Sequence, residues 1–214
     1  MCTLYALEGE IPEDLTVSLL YSTYWERQVR RDRTGSLRAA AMREQVCLRA
    51  AAWLRNASTT RFVEEFPESI VGSETDAWEA LEGVRSSGVI VRGSTWAQLR
   101  FFHQSFAEYA IARQILDDPT TRDEFVQELA LTGRDSHLWP VLVQLLYAAG
   151  RREDRSLTRS IVERLDLSVL QALRAAALTA VAGDDLELLT VLTERSLSLP
   201  PQHQQLLALT RFRE

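Results

Sequence analysis

The chain of 214 residues contains no lysine: all 24 of its basic residues are arginine. A phosphate-binding loop of the form GxxxxGK[ST] needs its lysine for the β- and γ-phosphates, so this sequence has none. Schiff-base chemistry on a lysine is excluded as well. Cysteine is nearly as scarce. Cys2 and Cys47 are the only two, which is too few for a disulfide framework or a cysteine-based zinc site and fits a reducing cytoplasm. Nine glycines and six prolines leave little material for long loops. No apolar run approaches the roughly 20 residues that a membrane-spanning helix needs. The opening MCTLYALEGE has no basic start and only a short apolar run, unlike a signal peptide. A cytoplasmic protein without membrane contact is the expectation.

The composition is that of a helical globular protein. Hydrophobic residues make up 46% and charged residues 25%, and Leu, Ala, Arg and Glu dominate, a mix that favours helix. The net charge of −6 argues against general nucleic-acid binding. That charge is uneven. Between Glu26 and Arg61 nine arginines stand against three acids, and between Glu64 and Ile90 seven acids stand against Arg85 alone. The two segments are expected to face one another or water; a docking surface is the alternative.

Residues 4–7, LYAL, are apolar from the first turn and read as a helix that has lost its beginning. Pro12, followed by Glu13 and Asp14, signals a helix start, with Val17, Leu20, Tyr21, Tyr24 and Trp25 at helical spacing as far as about Arg31. A second helix is expected over Leu37–Asn56, a third in RFVEEF, closed by Pro67, and a fourth packed through Trp78, Leu81 and Val84. Two β-prone runs, Val89–Arg92 and Gln98–Phe102, flank a glycine turn and predict a hairpin. A helix from about Gln104 to Leu116 follows. Three helices, a hairpin wing and a helix make a winged-helix arrangement. From Arg122 on the pattern predicts only helices, over 122–131, 136–149, 155–164, 168–182, 185–197 and 202–212, in the manner of an α-solenoid of HEAT or armadillo type. The expected fold is therefore mainly α. It divides into a helical segment (1–34), a winged-helix domain (35–118) and helical repeats (119–214).

The stretch LRFFHQSFAEYAIARQIL, residues 99–116, carries the most information. Ser105 and Glu108 have the spacing of a capping box. Phe102, Phe106, Tyr109 and Ala110 share a helical face and predict an anchor to the core. His103 precedes the cap, where exposed amides and the helix dipole favour an anion. Without other information, a capping or core histidine is the simplest reading. His137 and His203 lie in separate helices without metal-ligand spacing and read as structural or surface residues. Trp25, Trp53, Trp78 and Trp139 read as core, and Trp96 as a wing-tip residue.

This stretch resembles the winged-helix signature of NACHT-type signalling NTPases of the STAND class, roughly F-x-H-x-[ST]-F-x-E-[YF]-x-A-x-x-L. Phe101, His103, Ser105, Phe106, Glu108 and Tyr109 fall on it in register; beyond them Ile111 stands where a small residue is expected, and Leu116 comes two places late. SSGVIVR is similar to the strand before the motif, and GEIPEDLTVSLLYSTYWERQVR to the helical segment before the winged helix. The resemblance implies that His103 contacts the β-phosphate of ADP and helps hold a closed, inactive state. It also implies ADP or ATP with Mg in a full-length parent, whose nucleotide-binding domain would be the partner. The solenoid would take an unknown protein ligand, and the setting would be signal transduction in bacterial defence or innate immunity. The chain itself has no P-loop and no acidic Walker B strand, so it is not expected to be an enzyme or to hold a cofactor alone. It is expected to be a C-terminal fragment of a longer NTPase, or a degenerate piece begun at an internal Met.

Three alternatives remain at this point. One is a winged-helix DNA-binding regulator, against which the segment TDAWEALEGV is acidic where phosphates would lie. Another is a stand-alone helical-repeat module for protein interaction. The third is a hydrolase using Ser105 and His103, which lacks a glycine elbow.

Overall fold

A computed structural model describes residues 17–30, 36–58, 61–72, 74–132, 136–151, 155–166, 170–182, 185–199 and 201. The expected LYAL and 202–212 helices, the Pro12 start, Cys2 and His203 lie outside them. Among the described residues the fold is mainly helical, with one small antiparallel sheet. No helix there is long and apolar enough to cross a membrane. The chain divides into two compact units, residues 1–111 and 112–214.

The first unit begins with α1 (Val17–Tyr24), which continues as a π-helical segment, Trp25–Arg30. Ser36 opens α2 (Leu37–Ala57) by accepting a hydrogen bond from the Ala39 amide at 3.2 Å. Val46, Cys47, Ala50, Ala51 and Leu54 form its buried stripe, with the i, i+4 recurrence of an amphipathic helix. Burial pushes the Cys47 thiol far above its ordinary range, so it is an inert core residue.

The run RFVEEF is not the expected helix. It holds β1 (Glu65–Pro67), with Phe66 buried between partly exposed neighbours. Pro67 biases Phe66 toward extended backbone, and a proline is tolerated because β1 is an edge strand. A 3₁₀ turn, Glu68–Val71, leads to α3 (Thr75–Ser86). α3 ends in a Schellman turn: Val89 donates to the Val84 carbonyl at 3.0 Å and Gly88, at φ 75°, to Arg85 at 2.9 Å. The chain is thus aimed directly into the hairpin of β2 (Ile90–Arg92) and β3 (Gln98–Phe101). The sheet order is β1-β3-β2, with Glu65 opposite Arg100 and Ile90 opposite Phe101. Glu65 accepts from both the amide and the hydroxyl of Ser94 at 2.7 Å, tying the hairpin loop to β1. Trp96 is exposed in that loop.

The basic and acidic segments do face one another. α2 packs on α3, Arg38 pairs with Asp76, and Arg49 donates to the Val71 carbonyl at 2.9 Å. Trp78, expected in the core, is 39% exposed. The buried stripe of α3 is Ala77, Ala80, Leu81 and Val84, and Trp78 lies one residue, about 100° of rotation, off it. Trp25 and Trp139 are buried.

α4 (Gln104–Asp117) runs across the division between the units. In the second unit Asp118 caps α5 (Pro119–Thr132), accepting from Thr120 N at 3.1 Å and Thr121 Oγ1 at 2.6 Å. α6 (Trp139–Arg151), α7 (Arg155–Arg164), α8 (Leu170–Ala182) and α9 (Leu186–Leu197) follow. Each helix packs on the one two places along: α5 on α7, α6 on α8, α7 on α9.

The α7–α9 and α6–α8 pairs run parallel. Arg159 of α7 reaches Asp185 and Glu187 at the start of α9, at 3.7 and 2.8 Å. Arg195, late in α9, donates to the carbonyls of Val162, Leu165 and, at 2.7 Å, Glu163 at the end of α7. In the other pair Thr179, late in α8, donates to the Leu146 carbonyl of α6 at 3.4 Å. It also lies so close to Gly150 that a Cβ there would come within 2.5 Å of its methyl group.

Candidate functional site

The signature residues gather at the start of α4, where the hairpin returns to the helix. The helix begins at Gln104, one residue before the expected cap. His103 is the cap: its carbonyl accepts from Phe106 N and Ala107 N at 3.1 Å, and its Nδ1 accepts from Ser105 N at 3.1 Å. Ser105 therefore stands inside the first turn, and the expected capping box with Glu108 does not form. The Ser105 hydroxyl instead lies near the Tyr21 phenol, which it lowers against the larger rise from burial, and Glu108 accepts from Gln104 Nε2 at 2.9 Å. A histidine ring replaces the usual Ser, Thr, Asp or Asn oxygen, and sequence rules built on those four residues miss it.

His103 is exposed. A neutral imidazole whose Nδ1 accepts carries its proton on Nε2. The ring thus spends one nitrogen on its own helix and keeps an N–H to offer outward. It also occupies the Ser105 amide, one of the donors that an anion at this helix end would otherwise use.

Phe106 and Tyr109 belong to a cage of aromatic rings. Phe106 has its ring centroid 4.9 Å from Phe102, 5.4 Å from Tyr21 and Tyr24, 5.7 Å from Phe101, 5.8 Å from Tyr109 and 6.0 Å from Trp25. Tyr21, Tyr24 and Trp25 come from α1 and its π-helical continuation, so the rings clamp that segment onto α4. Edge and tilted contacts of this kind suit the ring quadrupoles. Trp25 Nε1 donates to Glu44 at 3.1 Å, which satisfies its one polar atom.

Glu108 is buried beside this cage. Burial raises its carboxyl above the ordinary value; the Gln104 hydrogen bond and nearby His103 lower it, and Glu64 raises it again. An acid whose folded value is raised holds its proton more tightly folded than unfolded. The contribution of Glu108 to stability is therefore fully present below its unfolded value and is lost as pH rises through the folded value. Glu108→Gln, which keeps the acceptor for Gln104, is expected to melt higher than wild type at neutral pH and level with it near pH 4. Melting curves across that range check this; a pH-independent gap would mean that burial of the charge is not the cause.

The remaining candidates do not join this site. His137 lies in the turn before α6, its buried Nε2 without a hydrogen bond. Among the described residues no group of three or more His, Cys, Asp or Glu could hold a metal ion. The exposed side of α3 carries Glu74, Glu79 and Glu82. Neither a protein-family model nor a curated protein matches this chain.

Proposed function

We propose that this chain is the regulatory portion of a NACHT-type STAND NTPase: a helical segment, a winged helix and the first HEAT- or armadillo-like repeats. In this reading His103 donates from Nε2 to the β-phosphate of ADP held by the parent's nucleotide-binding domain with Mg. Exchange for ATP withdraws that contact, and the difference between the two states is what makes it a switch. The phosphate chemistry belongs to the parent; this chain supplies the sensing contact and the ligand-sensing repeats.

The observation that carries the reading is the exposed His103 at the start of α4, with one nitrogen committed to the cap and the other left to donate. Two features support the architecture. The succession α2, β1, 3₁₀ turn, α3, β2, β3 with strand order β1-β3-β2 is consistent with a winged helix. The packing of helices on those two places along is consistent with an α-solenoid. A DNA-binding winged helix is disfavoured, because Glu74, Glu79 and Glu82 line the exposed side of α3.

The codons upstream of Met1 provide the first test. An in-frame segment with GxxxxGK[ST] supports the reading, and its absence overturns it. In that longer protein His103→Ala is expected to lower the ADP that co-purifies and to raise basal activity. Unchanged ADP content would remove His103 from the mechanism.

A further inference from the structure

His103 commits its Nδ1 to the first turn of α4, and that nitrogen can accept from the Ser105 amide, 3.1 Å away, only while it carries no proton. The ring is exposed, so protons from solvent reach it. The other two bonds of the cap come from the His103 carbonyl, to Phe106 N and Ala107 N, and do not depend on the ring. The oxygens of Ser, Thr or Asn at a cap accept at every ordinary pH, whereas histidine is the side chain whose charge changes near neutrality. A protonated ring carries an N–H on both nitrogens and meets the Ser105 donor with a donor. It also sets a cation at the positive end of the helix dipole. Both effects act against the cap. The ionisable groups around the ring come from three elements. Glu108 lies on the same helix; burial raises its carboxyl, and nearby His103 lowers it. Glu64, ahead of β1, acts on Glu108. From α1 come Tyr21 and Tyr24, whose rings pack on Phe106; burial raises both phenols, so they stay neutral here. Arginines keep their charge throughout.

We propose that His103 is a proton-operated cap: the neutral ring closes the first turn of α4, and the imidazolium releases it. The change is local. Phe106 stays in its cage of rings, and the two bonds to the His103 carbonyl remain. What loosens is the point where the hairpin returns to the helix, residues 103–105. This deepens the proposed function, on which it rests for its use, by naming how the sensing contact is regulated. The neutral ring serves the cap through Nδ1 and a phosphate through Nε2 at the same time. The imidazolium keeps the donor for the phosphate but gives up the hydrogen bond that aims it.

The full chain, labelled with ¹⁵N, is followed by NMR from about pH 8 to about pH 5. The imidazole ¹⁵N shifts are expected to place the proton on Nε2 at the upper end of the range. Protection of the Ser105 amide from solvent exchange, corrected for the intrinsic pH dependence of exchange, is expected to fall about fivefold as the ring takes up its second proton. The Ser105 amide shift is expected to move with it. His103→Asn offers an oxygen acceptor that does not titrate and is expected to hold that protection level across the range. Glu108→Gln removes the neighbouring carboxyl and is expected to keep the step. Absence of the step in wild type, its persistence in His103→Asn, or its loss in Glu108→Gln overturns the proposal. All of this is read on the chain alone, without nucleotide. The result does not depend on whether a P-loop lies upstream, so the two readings fail separately.

Discussion

Phe106→Ala is expected to cost the first unit about 3–5 kcal/mol, the usual range for emptying a buried aromatic site. The ring is fully buried and touches six other rings from three parts of the chain. Few sites can collapse around such a gap, because the neighbours are planar and held from several directions. Denaturant unfolding checks the loss. Amide exchange locates it: protection is expected to fall first in residues 17–30, whose Tyr21, Tyr24 and Trp25 lose their common partner. Phe106→Leu, which fills part of the space, is expected to lose less. A small loss for Phe106→Ala, with unchanged exchange in 17–30, would mean that the rings are neighbours without being a clamp.

The second large effect is expected at Arg195. Its guanidinium donates to three carbonyls at the end of α7, groups that a helix end leaves without partners. A cation there also meets the negative end of the helix dipole. Arg195→Ala is expected to cost about 2–4 kcal/mol, since hydrogen bonds from a charged donor contribute about 1.5–3 kcal/mol each and water replaces part of the loss. Arg195→Lys is expected to restore only a fraction, because an ammonium cannot spread over three acceptors as the planar fork does. Chemical denaturation of the chain and both variants measures this. If Lys restores everything, the contribution is charge at the helix end and the fork geometry is irrelevant.

Much of the first unit was legible because its signals are local. The period of α2, the glycine-flanked hairpin and the aromatic spacing of 101–109 are all written within a few residues of one another. The helix expected in RFVEEF failed because its acids and aromatics suit either state, and Pro67 with a pairing partner more than 30 residues away decided for strand. The capping box failed for a related reason. Ser105 and Glu108 had the right spacing, but His103, one residue upstream of the first helical position, took the amide first. Trp78 shows how little separates core from rim: one position on a helix turns an indole from the packed stripe to the side. In the second unit the helices could be read from their periods, whereas the Arg159 and Arg195 contacts between α7 and α9 could not. Each joins residues some 30 positions apart and leaves no mark in the spacing of either helix.

The parallel packing of helices two apart has a mechanical consequence. Among the described residues each helix of the second unit leans on near neighbours along the chain, so these contacts are close in sequence. Among the described helices, the Arg195 clasp is what α9 would have to release before it could leave α7.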